Sequence, residues 1–178
     1  MLSTDVLMFC RWGIGLTFLA SAVGKARDLR AYRQAVVDLT KLPAAAARPV
    51  AVATLAAEGL VVLGLAAGRA ALPAGFALAG VLLLVFSAVL VAALRRDAAV
   101  SCNCFGASER PVSWYDVARN GALLACCGAG VWGYALAHPL QPGAALVMLT
   151  GLMAGCFFVI VTNTEDIVEV LRKPYLAE

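Results

Sequence analysis

LPAGFALAGVLLLVFSAVLVAAL, Leu72–Leu94, carries no charged residue and is stopped by Arg95-Arg96. A run of this kind matches the roughly 17–25 apolar residues that cross a bilayer as one helix. Helices are suited to that task because they satisfy their own backbone where no water can. Working outward, four more apolar runs of similar length cover residues 6–24, 46–67, 117–137 and 143–161. The whole chain is 62% hydrophobic and only 14% charged, against about 25% charged in an ordinary soluble domain. The sequence therefore predicts an all-α, polytopic membrane bundle of four to five transmembrane helices, a single domain over residues 1–178. The small net charge of +3 and the absence of a basic patch or phosphate-binding glycine loop exclude nucleic-acid and nucleotide chemistry. One histidine, His138, excludes paired-histidine catalysis and histidine-based metal sites.

Between the first two spans, Leu29, Tyr32, Val36 and Leu39 recur at helical spacing among Arg30, Arg33, Gln34 and Asp38. This predicts a short amphipathic helix lying in the interface, stopped by Leu42-Pro43. The opening of the chain lacks a basic region and a small-residue cleavage site, so the first span reads as retained rather than as a cleavable signal. Gly64-x-x-x-Gly68 and Gly151-x-x-x-Gly155 are spaced for close helix approach in lipid, and such faces would also let two copies pair.

The chemistry-bearing stretch follows Arg96. Ser101-Cys102-Asn103-Cys104-Phe105-Gly106 is a polar turn with two cysteines one residue apart, set between two spans. A disulfide closed over so short a ring is strained, which favours exchange over structural stapling. Two thiolates could equally grip a soft metal ion. Arg95, Arg96, Arg110 and Arg119 would favour the thiolate, the nucleophilic form. Cys126, Cys127 and Cys156 fall inside spans and read as small hydrophobes; of these only Cys156 is a plausible member of a second pair. Cys10 belongs near the opposite face.

Glu58 is a carboxylate inside a span, costly unless it faces the interior with a partner. Counting along the helices puts Arg11 at a similar depth, so an Arg11–Glu58 pair is expected, either as helix glue or in proton transfer or quinone binding. Lys25, Arg27 and Asp28 end the first span, where topological anchoring is the simplest role. Trp114 and Tyr115 suit the membrane interface, and Asp116 suits a helix N-terminal cap. Trp12, Phe86 and Trp132 could line a quinone cleft, though packing is the commoner role of aromatic residues in spans. Basic residues gather on the side of the cysteine turn, which the positive-inside rule makes cytoplasmic, whereas disulfide chemistry favours the other face.

Arg11-Trp-Gly-Ile-Gly, Gly24-Lys25-Ala-Arg27-Asp28, Ala57-Glu58-Gly59-Leu60, Cys102-Asn-Cys104-Phe105-Gly106 and Pro111-Val-Ser-Trp114 through Arg119-Asn120, in that order, resemble the methylamine utilisation protein MauE family, grouped with the DoxX-like membrane proteins. The resemblance implies thiol–disulfide chemistry at a bacterial-type inner membrane. It implies a thioredoxin-fold partner and Cys102 and Cys104 as the reactive pair, with Arg11, Lys25, Arg27, Glu58, Arg110, Trp114 and Arg119 in support. A membrane quinone is the electron carrier expected by analogy with other disulfide-generating bundles. The competing readings are a non-enzymatic assembly factor for a redox or metal-binding partner and, last, a small-solute transporter.

Overall fold

The computed structural model describes residues 2–96, 112–136 and 143–162. All regular structure among them is helical: α1 (Leu2–Arg27), α2 (Leu29–Thr40), α3 (Ala44–Ala66), α4 (Leu72–Leu94), α5 (Trp114–Leu136) and α6 (Ala144–Thr162), with one 3-10 turn at Arg69–Ala71. Helices α1, α3, α4 and α5 close into a ring, each packed on two of the others; α6 lies on the outer side of α1, and α2 lies against α3 and α4.

Among the described residues, three helices, Ser3–Arg27, Ala44–Ala66 and Arg69–Leu94, are long and apolar enough to cross a membrane, and Ala144–Ile160 is a shorter apolar helix. Helix α5 matches the others in length, but its opening turns carry Asp116, Arg119 and Asn120. The bundle is apolar outside as well as inside. Leu60 and Leu63 on α3 are 59% and 64% exposed and Leu152 on α6 is 69% exposed, a surface suited to lipid rather than water. The core beneath is built from Leu7, Ile14, Phe18, Val61, Leu65, Phe76, Leu83 and Leu123.

The connections follow from local chemistry. Asp28 caps α2 by accepting from the Ala31 N–H at 2.9 Å, and Lys41 ends it in the left-handed region at φ 60°. The expected amphipathic helix is present: Tyr32, Val36 and Leu39 are buried together with Ala35, and Arg30, Arg33 and Gln34 are exposed, whereas Leu29, expected on the apolar face, is exposed at the first turn. Asp116 returns to the Ser113 N–H at 3.1 Å, the reciprocal half of a capping box at the start of α5. The expected cap is there.

The glycine pairings differ from those the spacing suggested. Gly64 meets Gly75 of α4 across the α3–α4 contact, where a Cβ on Gly75 would lie 3.1 Å from backbone atoms of Gly64 and Leu65. Gly68 serves the turn, at φ 110°. Gly151 and Gly155 have open space around them. Gly75→Val should therefore push α3 from α4 and cost about 1–3 kcal/mol, the usual range for overpacking. Gly80→Val, on the same helix with nothing near its Cβ position, should leave the thermal midpoint in detergent almost unmoved.

Candidate functional site

The polar centre of the bundle lies where α1 ends. Lys25 and Glu58 form a salt bridge with their side chains 2% and 0% exposed. Ser21, one turn before Lys25, donates to Glu58 Oε1 at 3.0 Å and accepts from Lys25 Nζ at 3.0 Å. The Glu58 Oε2 atom is buried and has no hydrogen-bond partner among the described residues. The Lys25 ammonium stands 5.0 Å from the centroid of Tyr32 and 4.8 Å from that of Phe86, within reach of a cation–π attraction.

This overturns the expected Arg11–Glu58 pair. Arg11 Nε donates to the Leu65 carbonyl at 2.6 Å and Nη2 to the Ala66 carbonyl at 3.1 Å. These are last-turn carbonyls of α3, which lack intrahelical donors and carry the negative end of the helix dipole. It also overturns the anchoring role for Lys25, which is buried in the ion pair instead of solvated at the membrane edge. Arg27, by contrast, is exposed at the end of α1.

Two cavities flank the pair. One, of about 30 Å³, is lined by Thr17, Ser21, Lys25, Glu58, Arg119 and Asn120 together with apolar neighbours. That is room for about one water. The other, of about 100 Å³, lies between α2, α3 and α4, with Lys25, Tyr32, Thr54 and Phe86 among its lining. Burial pushes the Tyr32 phenol up from its ordinary pKa; the Thr54 hydrogen bond opposes that shift and the Glu58 charge adds to it. Tyr32 therefore stays protonated, a donor at neutral pH.

Arg119 joins the small cavity and pairs with Asp116 at 3.0 Å. Trp114 is 62% exposed at the start of α5, as a membrane-interface residue would be. Cys102, Cys104 and Arg110 lie outside the described residues. Both flanks of that stretch sit together, however: Arg96 Nη2 donates to the Leu39 carbonyl at 2.9 Å, and Val112 packs with Leu39, Leu90 and Ala93. Helix α4 therefore ends, and α5 begins, at the end of the bundle nearer Lys25.

Of the remaining cysteines, Cys126 and Cys127 are buried in the apolar core, as the small-hydrophobe reading expected. Cys10 of α1 is buried in the same core. Cys156, singled out for a second pair, is exposed on α6. Trp12 and Trp132 are 41% and 55% exposed and line neither cavity; Phe86 lines both. Sequence reasoning missed Ser21, Tyr32 and Asn120 as parts of the polar centre. Only the i, i+4 spacing of Ser21 and Lys25 could have signalled one of them.

A helical membrane bundle closed around a buried lysine–glutamate pair is the class of protein that the fold and its polar centre define. The sequence matches the family model for methylamine utilisation protein MauE over residues 3–133. It is 35% identical over 153 residues to the methylamine utilization protein MauE of Paracoccus denitrificans, covering 84% of this chain and 80% of that protein. The chain belongs to the MauE family. No solved structure matches it.

Proposed function

We propose that this chain is a membrane thiol–disulfide relay of the bacterial-type inner membrane, acting through Cys102 and Cys104 on a thioredoxin-fold partner. In one direction the partner's disulfide takes two electrons and two protons as the two thiols close to a disulfide; the reverse regenerates them. Attack by one thiolate on the partner's disulfide gives a mixed disulfide, and the second thiolate resolves it. What supports the reading is that α4 ends, and α5 begins, at the end of the bundle holding Lys25, Glu58 and Arg119. A fixed polar centre there could serve proton movement during exchange.

A second reading, a non-enzymatic assembly subunit, is favoured by one observation: Lys25, Ser21 and Glu58 join α1 to α3 and would stabilise the bundle without any chemistry. The name of the Paracoccus relative makes methylamine utilisation the first pathway in which to look for a partner under either reading.

Trapping separates the two. A variant keeping only Cys102 and Cys104 should form a dithiothreitol-sensitive covalent complex with thioredoxin whose second active-site cysteine has been replaced by serine. The complex should require prior oxidation of the pair. No complex under any redox condition, with tight copper(I) or zinc binding instead, would overturn the relay in favour of the assembly role.

A further inference from the structure

A third cavity lies away from the polar centre, beside the contact that Tyr32 and Val36 of α2 make with Ala47 and Ala51 of α3. It measures about 340 Å³ and is lined by Leu29, Arg30 and Arg33 of α2 and by Arg48 and Ala51 of α3. That volume falls within the roughly 300–1,000 Å³ of small-molecule sites. Arg30 and Arg33 stand one turn apart, as do Arg48 and Ala51, so two facing helix surfaces set three guanidinium groups around one hollow. All three arginines are exposed, and none makes a side-chain hydrogen bond or ion pair among the described residues. Arg11, Arg96 and Arg119, by contrast, are engaged by carbonyls or by Asp116. Three converging cations repel one another, and an anion in the hollow would relieve that repulsion. The rim is apolar: Leu29 is 37% exposed, and Val52, one turn beyond Arg48, is 47% exposed.

We propose that this hollow holds the phosphate headgroup of an anionic phospholipid, with an acyl chain running along α3 past Val52. Guanidinium forks match phosphate oxygens in pairs, and basic pockets between membrane helices suit anionic headgroups. A zwitterionic lipid brings its own cation against the three arginines. A soluble phosphate would meet the same guanidinium groups but leave Leu29 and Val52 uncovered, so the apolar rim favours a lipid. Placement fits as well. Helix α2 buries one face in the bundle and exposes a basic one, as a helix at headgroup level does. Because Arg30 and Arg33 lie on α2 and Arg48 on α3, a bound lipid would bridge the two helices and stabilise the fold by mass action. The site uses neither Cys102 nor Cys104 and stands whether the chain is a relay or an assembly subunit.

The test is titration of the full-length protein, delipidated in neutral detergent, with dioleoylphosphatidylglycerol, read by native mass spectrometry and by the thermal midpoint. Wild type should bind the lipid saturably and melt higher with it, and dioleoylphosphatidylcholine should do neither. Arg30→Gln/Arg33→Gln/Arg48→Gln should weaken binding about tenfold or more. Arg27→Gln/Lys41→Gln/Arg95→Gln removes the same charge from exposed residues outside the hollow and should bind as wild type does. Equal loss in both triple variants would overturn the proposal, because the attraction would then be diffuse charge rather than a site. So would equal binding of phosphatidylcholine, or no saturable binding by wild type. The same stabilisation by millimolar inorganic phosphate would assign the hollow to a soluble anion instead. Lipid-free midpoints report whether the variants fold, and Arg48→Gln alone, which should bind several-fold more weakly, keeps the test decisive if the triple variant does not.

Discussion

Lys25→Met should cost the bundle about 3–5 kcal/mol, the usual penalty for removing one partner of a buried ion pair. The cause is the state in which it leaves Glu58. That side chain is fully enclosed, and one of its oxygens already has no hydrogen-bond partner among the described residues. Without the ammonium only Ser21 would still donate to it. Most domains are stable by only about 5–15 kcal/mol, so the variant should lose most of its monodisperse yield in detergent and melt far below wild type. Glu58→Leu should be comparably harmful, because it strands the cation instead. The combination Lys25→Met/Glu58→Leu should recover most of the lost stability, since removing both charges of a buried pair is often neutral. If the double variant is as unstable as the sum of the singles, the two residues are not coupled and the centre described here is wrong.

The second large effect is on exchange itself. Cys102→Ser should reduce thiol–disulfide turnover with a thioredoxin-fold partner to the uncatalysed background, because one remaining thiolate can form the mixed disulfide but no second one is present to resolve it. Cys127→Ser should leave turnover nearly intact, since that thiol is enclosed in the apolar core where cysteine acts as a small hydrophobe. Stopped-flow reduction of the oxidised partner, monitored by its tryptophan fluorescence, separates the two. Equal loss from both substitutions would remove the assignment of the pair.

The architecture was legible because composition decides it. Once residues 72–94 are read as a span, the other apolar runs, the amphipathic face of α2 and the Asp116 cap follow from periodicity and local hydrogen bonding. The partner of Glu58 was not legible, for a geometric reason. Counting depth from each membrane face assumes that α1 and α3 start and stop at common planes. Instead the first turns of α3 run past the end of α1 and pack on α2 through Ala47 and Ala51. This brings Glu58 opposite the last turns of α1, where a flexible lysine stem can reach it. Arg11 then finds the carbonyl end of α3, a partner with no sequence signature. The Gly64–Gly75 contact escaped for the same reason: a spacing motif names one helix's face but not what meets it.

The Lys25–Glu58 bond also bears on how the chain enters its membrane. An acidic residue near the centre of a lone helix costs roughly 2.5–3.5 kcal/mol on insertion scales, and α3 carries Glu58 in such a place. Helix α1 emerges earlier in synthesis and brings the compensating cation with it. A meeting of the two before α3 is released to lipid would remove that cost, letting the first three helices partition together rather than singly.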